Sequence, residues 1–184
     1  MRKAVLSFIA IILVSGSLVA GDKNPVVGGQ EMLPTRNIVE NLSKSADHTT
    51  FISLLKTAGM DETLRGAGPY TVFAPINQAF VELPKGYLDN LMKPENREDL
   101  KKMLSYHVIA GKWTTAEIKA KLKSATGPVE FNALDGGKLT LADHSGMHLM
   151  VRDEDDDIGM FNVSDVMQSN GVVHVIDNVM QPKK

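Results

Sequence analysis

"NGVVHVIDNVMQP", Asn170 to Pro182, places one His and one Asp in a run of valines near the end of the chain. The pair admits three readings: two members of a catalytic triad, a metal pair, or polar parts of a core strand. Side chains alternate across a strand, so His174 shares a face with Val172 and Ile176, while Asp177, three residues on, faces the other way. Side chains on opposite faces of one strand cannot form a hydrogen-bonded dyad. The stretch therefore reads as a core strand whose His is satisfied by nearby backbone or side-chain partners.

Working outward from that strand, the whole stretch after Gly127 has β texture. VEFNAL, KLTLAD, MHLMVRD and GMFNVSDVM are separated by DGG, HSG and DEDDD, and SNG leads into the final strand. Asp135-Gly136-Gly137 is a strong hairpin signal. Before Gly127 the texture is helical. Ile38, Val39 and Leu42 share one face, as do Phe51, Ile52, Leu54 and Leu55, with Gly59 as a stop. Asp61 and Asn77 are expected to cap short helices. Pro94 opens a longer one, with Leu100, Met103 and Leu104 inward, and Thr114-Thr-Ala-Glu117 is a capping box. One early strand, "GPYTVFAP" (Gly68 to Pro75), interrupts the helices. Helices first and strands later favour a single α+β domain over an alternating α/β fold.

The N-terminus, MRKAVLSFIAIILVSGSLVAG, has a basic start, an apolar run from Ala4 to Val14 and a small-residue stretch. That layout is a secretory signal peptide over residues 1–20, with an apolar run too short to span a bilayer comfortably. Residues 21–34 (GDKNPVVGGQEMLP) read as a flexible N-terminal arm. The expected product is secreted or periplasmic, without stable membrane insertion once the signal is cleaved. Losing residues 1–20 removes Arg2 and Lys3 but no acid, moving the formal charge from −2 to −4. A mildly acidic chain without a long basic patch argues against nucleic acid as a partner. With no cysteine, the domain relies on packing, and neither thiol chemistry nor a Cys-type zinc site is available to it.

Catalytic signatures are missing: there is no G-x-S-x-G, H-E-x-x-H or phosphate-binding G-x4-G-K-[ST]. The expectation is a non-enzyme with no catalytic residue and no cofactor. "DHSGMHLM" offers an alternative: in a hairpin, His148 and Met150 point to one side with His144 across the turn. Imidazole plus thioether is a donor set suited to copper, which makes a periplasmic copper or small-ligand binder the rival reading. Asp153, Asp155 and Asp157 alternate as calcium ligands would, but Gly159 falls one residue late and Ser164 holds the twelfth position. The run therefore reads as a solvated loop.

Three stretches together resemble the fasciclin (FAS1) domain family: "YTVFAPINQAF" (Tyr70 to Phe80), "LSYHVIAGK" (Leu104 to Lys112) and the opening "NGVVHVIDNVMQP". They are similar, in order and separation, to the family's first box, its Tyr-His box and its second box. Ile76 departs from the Thr usual there. The resemblance covers residues 35–182 and implies a β-strand wedge or sandwich with packed α-helices. It also implies a role in cell-surface or matrix adhesion, or envelope and biofilm organisation, with a protein or matrix component as partner. Partner contacts in animal members are assigned to the Tyr-His box, matched here by Tyr106 and His107. They are also assigned to an Asp-Ile pair before the second box, matched by Asp165 and Val166. Tyr106 and His107 have a competing reading as interior residues bridging core elements. Asp165 is expected to be exposed, with the capping of a turn as its competing reading. Asp165→Ala is expected to leave folding nearly intact, whereas His174→Ala would destabilise the domain.

Overall fold

The computed structural model describes residues 24–125, 127–144, 146 and 148–183. The signal peptide expected over residues 1–20 lies outside them. A short hairpin, β1 (Val26–Val27) and β2 (Gln30–Glu31), precedes three helices, α1 (Ile38–Leu42), α2 (Thr49–Ala58) and α3 (Asp61–Arg65). Strand β3 (Tyr70–Pro75) follows, then α4 (Asn77–Val81), α5 (Tyr87–Leu91), α6 (Arg97–Tyr106), β4 (Val108–Ala110) and α7 (Thr115–Ala125). Five strands complete the chain: β5 (Val129–Asn132), β6 (Lys138–His144), β7 (His148–Arg152), β8 (Ile158–Gln168) and β9 (Gly171–Ile176). The α+β class and the late β-rich half agree with the sequence reading.

The helices follow local chemistry. Gly59 ends α2 at φ +73°, a left-handed geometry that costs glycine little. Thr114 and Glu117 form the expected capping box on α7. Asn37 and Glu40 form another on α1, which the hydrophobic pattern alone did not mark. Asn77 and Asp61 behave otherwise than expected. Neither caps its own helix: each is the first residue inside it. The Asn77 carboxamide instead reaches across to α2, accepting from the Thr50 N–H at 3.0 Å and donating to the Ala46 carbonyl at 2.8 Å.

Seven strands form one sheet in the order β4-β3-β9-β8-β7-β6-β5. Among the described residues the one parallel pair in it is β3 with β9, running from Tyr70↔Gly171 to Pro75↔Ile176. Both strands lie mid-sheet and are covered on both faces, which explains their unbroken apolar runs. The sheet curls until its ends meet: Ile109, on β4, bridges Ala133, just past β5, and the Leu134 N–H reaches the Val108 carbonyl at 2.8 Å. Inside this near-barrel lie Phe73, Tyr106, Leu139, Val151, Phe161 and Ile176. A second core, between the sheet and α1 to α6, contains Phe51, Leu55, Leu100, Met103, Val72 and Val173.

The stretch expected as a flexible arm is instead partly built into the domain. Val27 and Met32 join the helical core, and Met32 is fully buried. Gly28, at φ +56°, brings the hairpin so close that a Cβ would sit 2.3 Å from the Ser45 hydroxyl and 2.7 Å from the Ala46 nitrogen. Burial of these two apolar side chains holds the hairpin down more firmly than its own two-residue strands could.

Candidate functional site

The sequence singled out two regions for partner contact, and the structure places both largely inside. Tyr106 and His107 are fully buried, and Val166 is 1% exposed. None of the three presents its side chain to a partner in this conformation; the interior reading holds for Tyr106 and His107. They end α6 at the junction of the two cores. The Tyr106 hydroxyl donates to the Lys138 carbonyl at 2.5 Å and accepts from the Glu154 N–H at 3.2 Å, and burial pushes its pKa up. His107 Nδ1 lies 2.9 Å from the Met103 carbonyl, to which it donates. Its Nε2 accepts from the Met180 N–H at 3.0 Å, so the C-terminal segment is tied to α6. Burial pushes its pKa down to about 4, against a smaller opposite effect of the Met103 carbonyl.

Asp165 is partly exposed and lies in a bulge. Val163 pairs with Val175 and Val166 with Val173, so Ser164 and Asp165 together oppose the single residue His174. Asp165 adopts φ +56°, a conformation Asp tolerates better than most residues. Its carboxylate turns to α7, accepting from the Thr115 N–H at 2.7 Å and from the Thr115 hydroxyl. An anion at a helix N-terminus satisfies an orphan donor and meets the positive end of the dipole. The carboxylate therefore caps α7, and Asp165→Ala is expected to destabilise the domain where the sequence reading expected folding to stay nearly intact.

His174 completes the arrangement. Its Nδ1 accepts from the Asp165 N–H at 3.3 Å and its Nε2 donates to the Trp113 carbonyl at 2.8 Å. The ring is stacked 4.8 Å from Phe161 and 5.9 Å from Phe73, and burial lowers its pKa. Both nitrogens are committed, as expected for a core His. Asp177 is turned elsewhere and accepts from the Met160 N–H at 2.7 Å, so the two form no dyad.

Two polar residues escaped notice as organisers. Asp153, 4% exposed, accepts from the N–H groups of Asp155, Asp157 and Gln181, so its carboxylate folds the acidic loop inward around itself. Asn170 accepts from the Ile38 N–H at 3.0 Å and donates to the Leu64 and Gly66 carbonyls, joining α1, α3 and the start of β9. A short polar residue beside a long apolar run is the signal both share.

Beside the bulge opens a cleft of about 420 Å³. Ser164, Asp165 and Met167 form one wall, and Asn24, Met32 and Pro34 of the N-terminal segment the other. Of the rival metal residues, His144 and His148 are brought directly opposite each other on β6 and β7, both exposed, with Met150 two residues along β7.

Comparison with known proteins places this architecture. The fasciclin domain model matches residues 46–182. Protein sll1483 of Synechocystis sp. is 36% identical over 163 residues, which is 88% of this chain and 82% of that protein. Transforming growth factor-beta-induced protein ig-h3 of Sus scrofa is 30% identical over 81% of this chain, which spans only 20% of ig-h3. A FAS1 domain pair from the insect cell adhesion molecule fasciclin I superposes with a TM-score of 0.57 at 21% identity. That match covers 71% of this chain and 44% of the pair, and shows the shared fold.

Proposed function

This chain belongs to the fasciclin domain family, and from that premise we propose that it is an exported, non-enzymatic binding module of the adhesion type. Its partner is a protein or matrix component at the cell surface, and its working face is the cleft beside the β8 bulge. The observation that carries the reading is the bulge itself. It turns Asp165 into the protein to cap α7 and leaves Ser164 and Met167 lining an open cleft. In this reading Asp165 shapes the contact surface, and its neighbours touch the partner. The adhesive role named for the insect molecule of the same fold supports the class of function. His174 supports a binding rather than a hydrolytic role, since both its ring nitrogens are spent on backbone groups.

The test is surface attachment by host cells lacking the gene, complemented with wild type or with Ser164→Arg. Ser164 is partly exposed and stands clear of the helix cap, so an Arg there blocks the cleft without removing a structural bond. Attachment should fall without the gene, return with wild type and stay low with Ser164→Arg, whose melting temperature should match wild type. Unchanged attachment in the cells lacking the gene would sink the adhesive reading; full rescue by Ser164→Arg would move the contact away from this cleft.

A further inference from the structure

We propose that His144, His148 and Met150 form a copper(I) site on the outer face of the β6–β7 hairpin, a function separate from the adhesive one. The histidines divide into two groups. His48, His107 and His174 are fully buried and each holds at least one ring nitrogen against a partner, the Ser45 hydroxyl in the case of His48. His144 and His148 are exposed, and among the described residues neither ring is engaged in a hydrogen bond or ion pair.

Register brings the free pair together. His144 and His148 are Cα partners in the antiparallel ladder, so their side chains leave the same face of the sheet with Cβ atoms about 5 Å apart. Met150 lies on that face too, two residues along β7 and about 7 Å from His148. The opposite face of the hairpin is settled: Leu141, Leu149 and Val151 are buried in the near-barrel. The two imidazoles and the thioether therefore project outward together, at the corners of a triangle that a single ion can span.

Donor chemistry selects the ion. Among the described residues no group of three His, Asp or Glu side chains is placed to hold a metal, so the third side chain of the proposed set is a sulfur donor. The chain has no cysteine, which leaves methionine. Imidazole binds Zn²⁺ and copper alike, so the uncharged thioether is the donor that tilts the set towards Cu(I), while hard Mg²⁺ and Ca²⁺, which take oxygen ligands, are served poorly. Met160 stands opposite Met150 on β8, a further step from the His pair, and lies outside the proposed set.

The experiment is an anaerobic titration of the purified protein with Cu(I), in competition with a coloured Cu(I) chelator, alongside a Zn²⁺ titration. Wild type should withdraw one equivalent of Cu(I) and bind Zn²⁺ at least about tenfold more weakly. His144→Ala, His148→Ala and Met150→Leu should each lose about tenfold or more in Cu(I) affinity, with Met160→Leu unchanged. The two histidines are exposed and make no internal bonds, so their variants should melt with wild type, separating lost binding from lost folding. The proposal is overturned if wild type fails to compete, if either His variant binds as wild type does, or if Zn²⁺ binds as tightly as Cu(I). Loss on Met160→Leu with none on Met150→Leu would equally reject this donor set.

Discussion

Asp165 shows how one residue can be visible in a sequence while its task is hidden. The resemblance marks the Asp165-Val166 pair, but the group Asp165 serves, the Thr115 N–H, lies 50 residues earlier. No local pattern connects the two. Once the contact is known, the energetics follow from capping. Asp165→Ala removes the acceptor for a helix N-terminal donor and should cost about 1–2 kcal/mol. Asp165→Asn keeps an acceptor oxygen and tolerates φ +56°, so it should stay within a few tenths of a kcal/mol of wild type. Urea unfolding of the two variants checks this; equal stabilities would mean the cap contributes nothing. His174, by contrast, was legible from alternation alone, because its partners are those any core strand supplies. Tyr106 and His107 carried two readings, and only burial could choose, since a Tyr-His pair ending an amphipathic helix suits either a surface or a junction.

At the scale of elements, legibility followed length and punctuation. Strands β5 to β9 were marked by alternating or continuous apolar residues between turn signals, and α2 and α6 by their inner faces. The N-terminal hairpin was not, because two-residue strands show no periodicity and Gly28-Gly29 reads equally well as linker or turn. The distinction has a measurable consequence. Met32 is fully buried in the helical core, so Met32→Ala should destabilise by about 2–4 kcal/mol through lost burial and the cavity left behind. A mobile arm would tolerate the change without effect. A thermal melt decides, and a wild-type melting temperature for Met32→Ala would return residues 24–34 to the status of a tether. Asn77 went astray for a related reason: its position suggested its own helix, whereas its carboxamide serves the start of α2.

For the molecule as a whole, class and strand content were readable, but closure was not. The parallel pairing of β3 with β9 joins residues 101 positions apart, at Tyr70↔Gly171, and only the family resemblance hinted that those boxes belong together. Folding also puts three histidines out of reach of water, and this sets a pH dependence for the whole domain. His107 titrates at about 4 when folded and at its ordinary 6.5 when unfolded, so between these values the unfolded chain takes up a proton that the native one refuses. Stability is therefore undiminished above pH 6.5 and falls as pH drops towards 4, by about 3 kcal/mol for His107. His48 and His174 shift in the same direction. Urea midpoints at pH 7.5 and 4.5 should differ accordingly, and His107→Leu, though weaker at pH 7.5, should show a shallower loss; identical pH slopes would remove His107 as the cause. The meeting of β4 with the end of β5 has a further consequence for life at high local concentration. A sheet with a free margin invites another sheet to add to it, and stacked copies then fuse into fibres. Here the two margins meet at the Ile109↔Ala133 bridge and the Leu134–Val108 bond, so at that seam the strand edges are spent on each other and leave little backbone for a second copy to pair with.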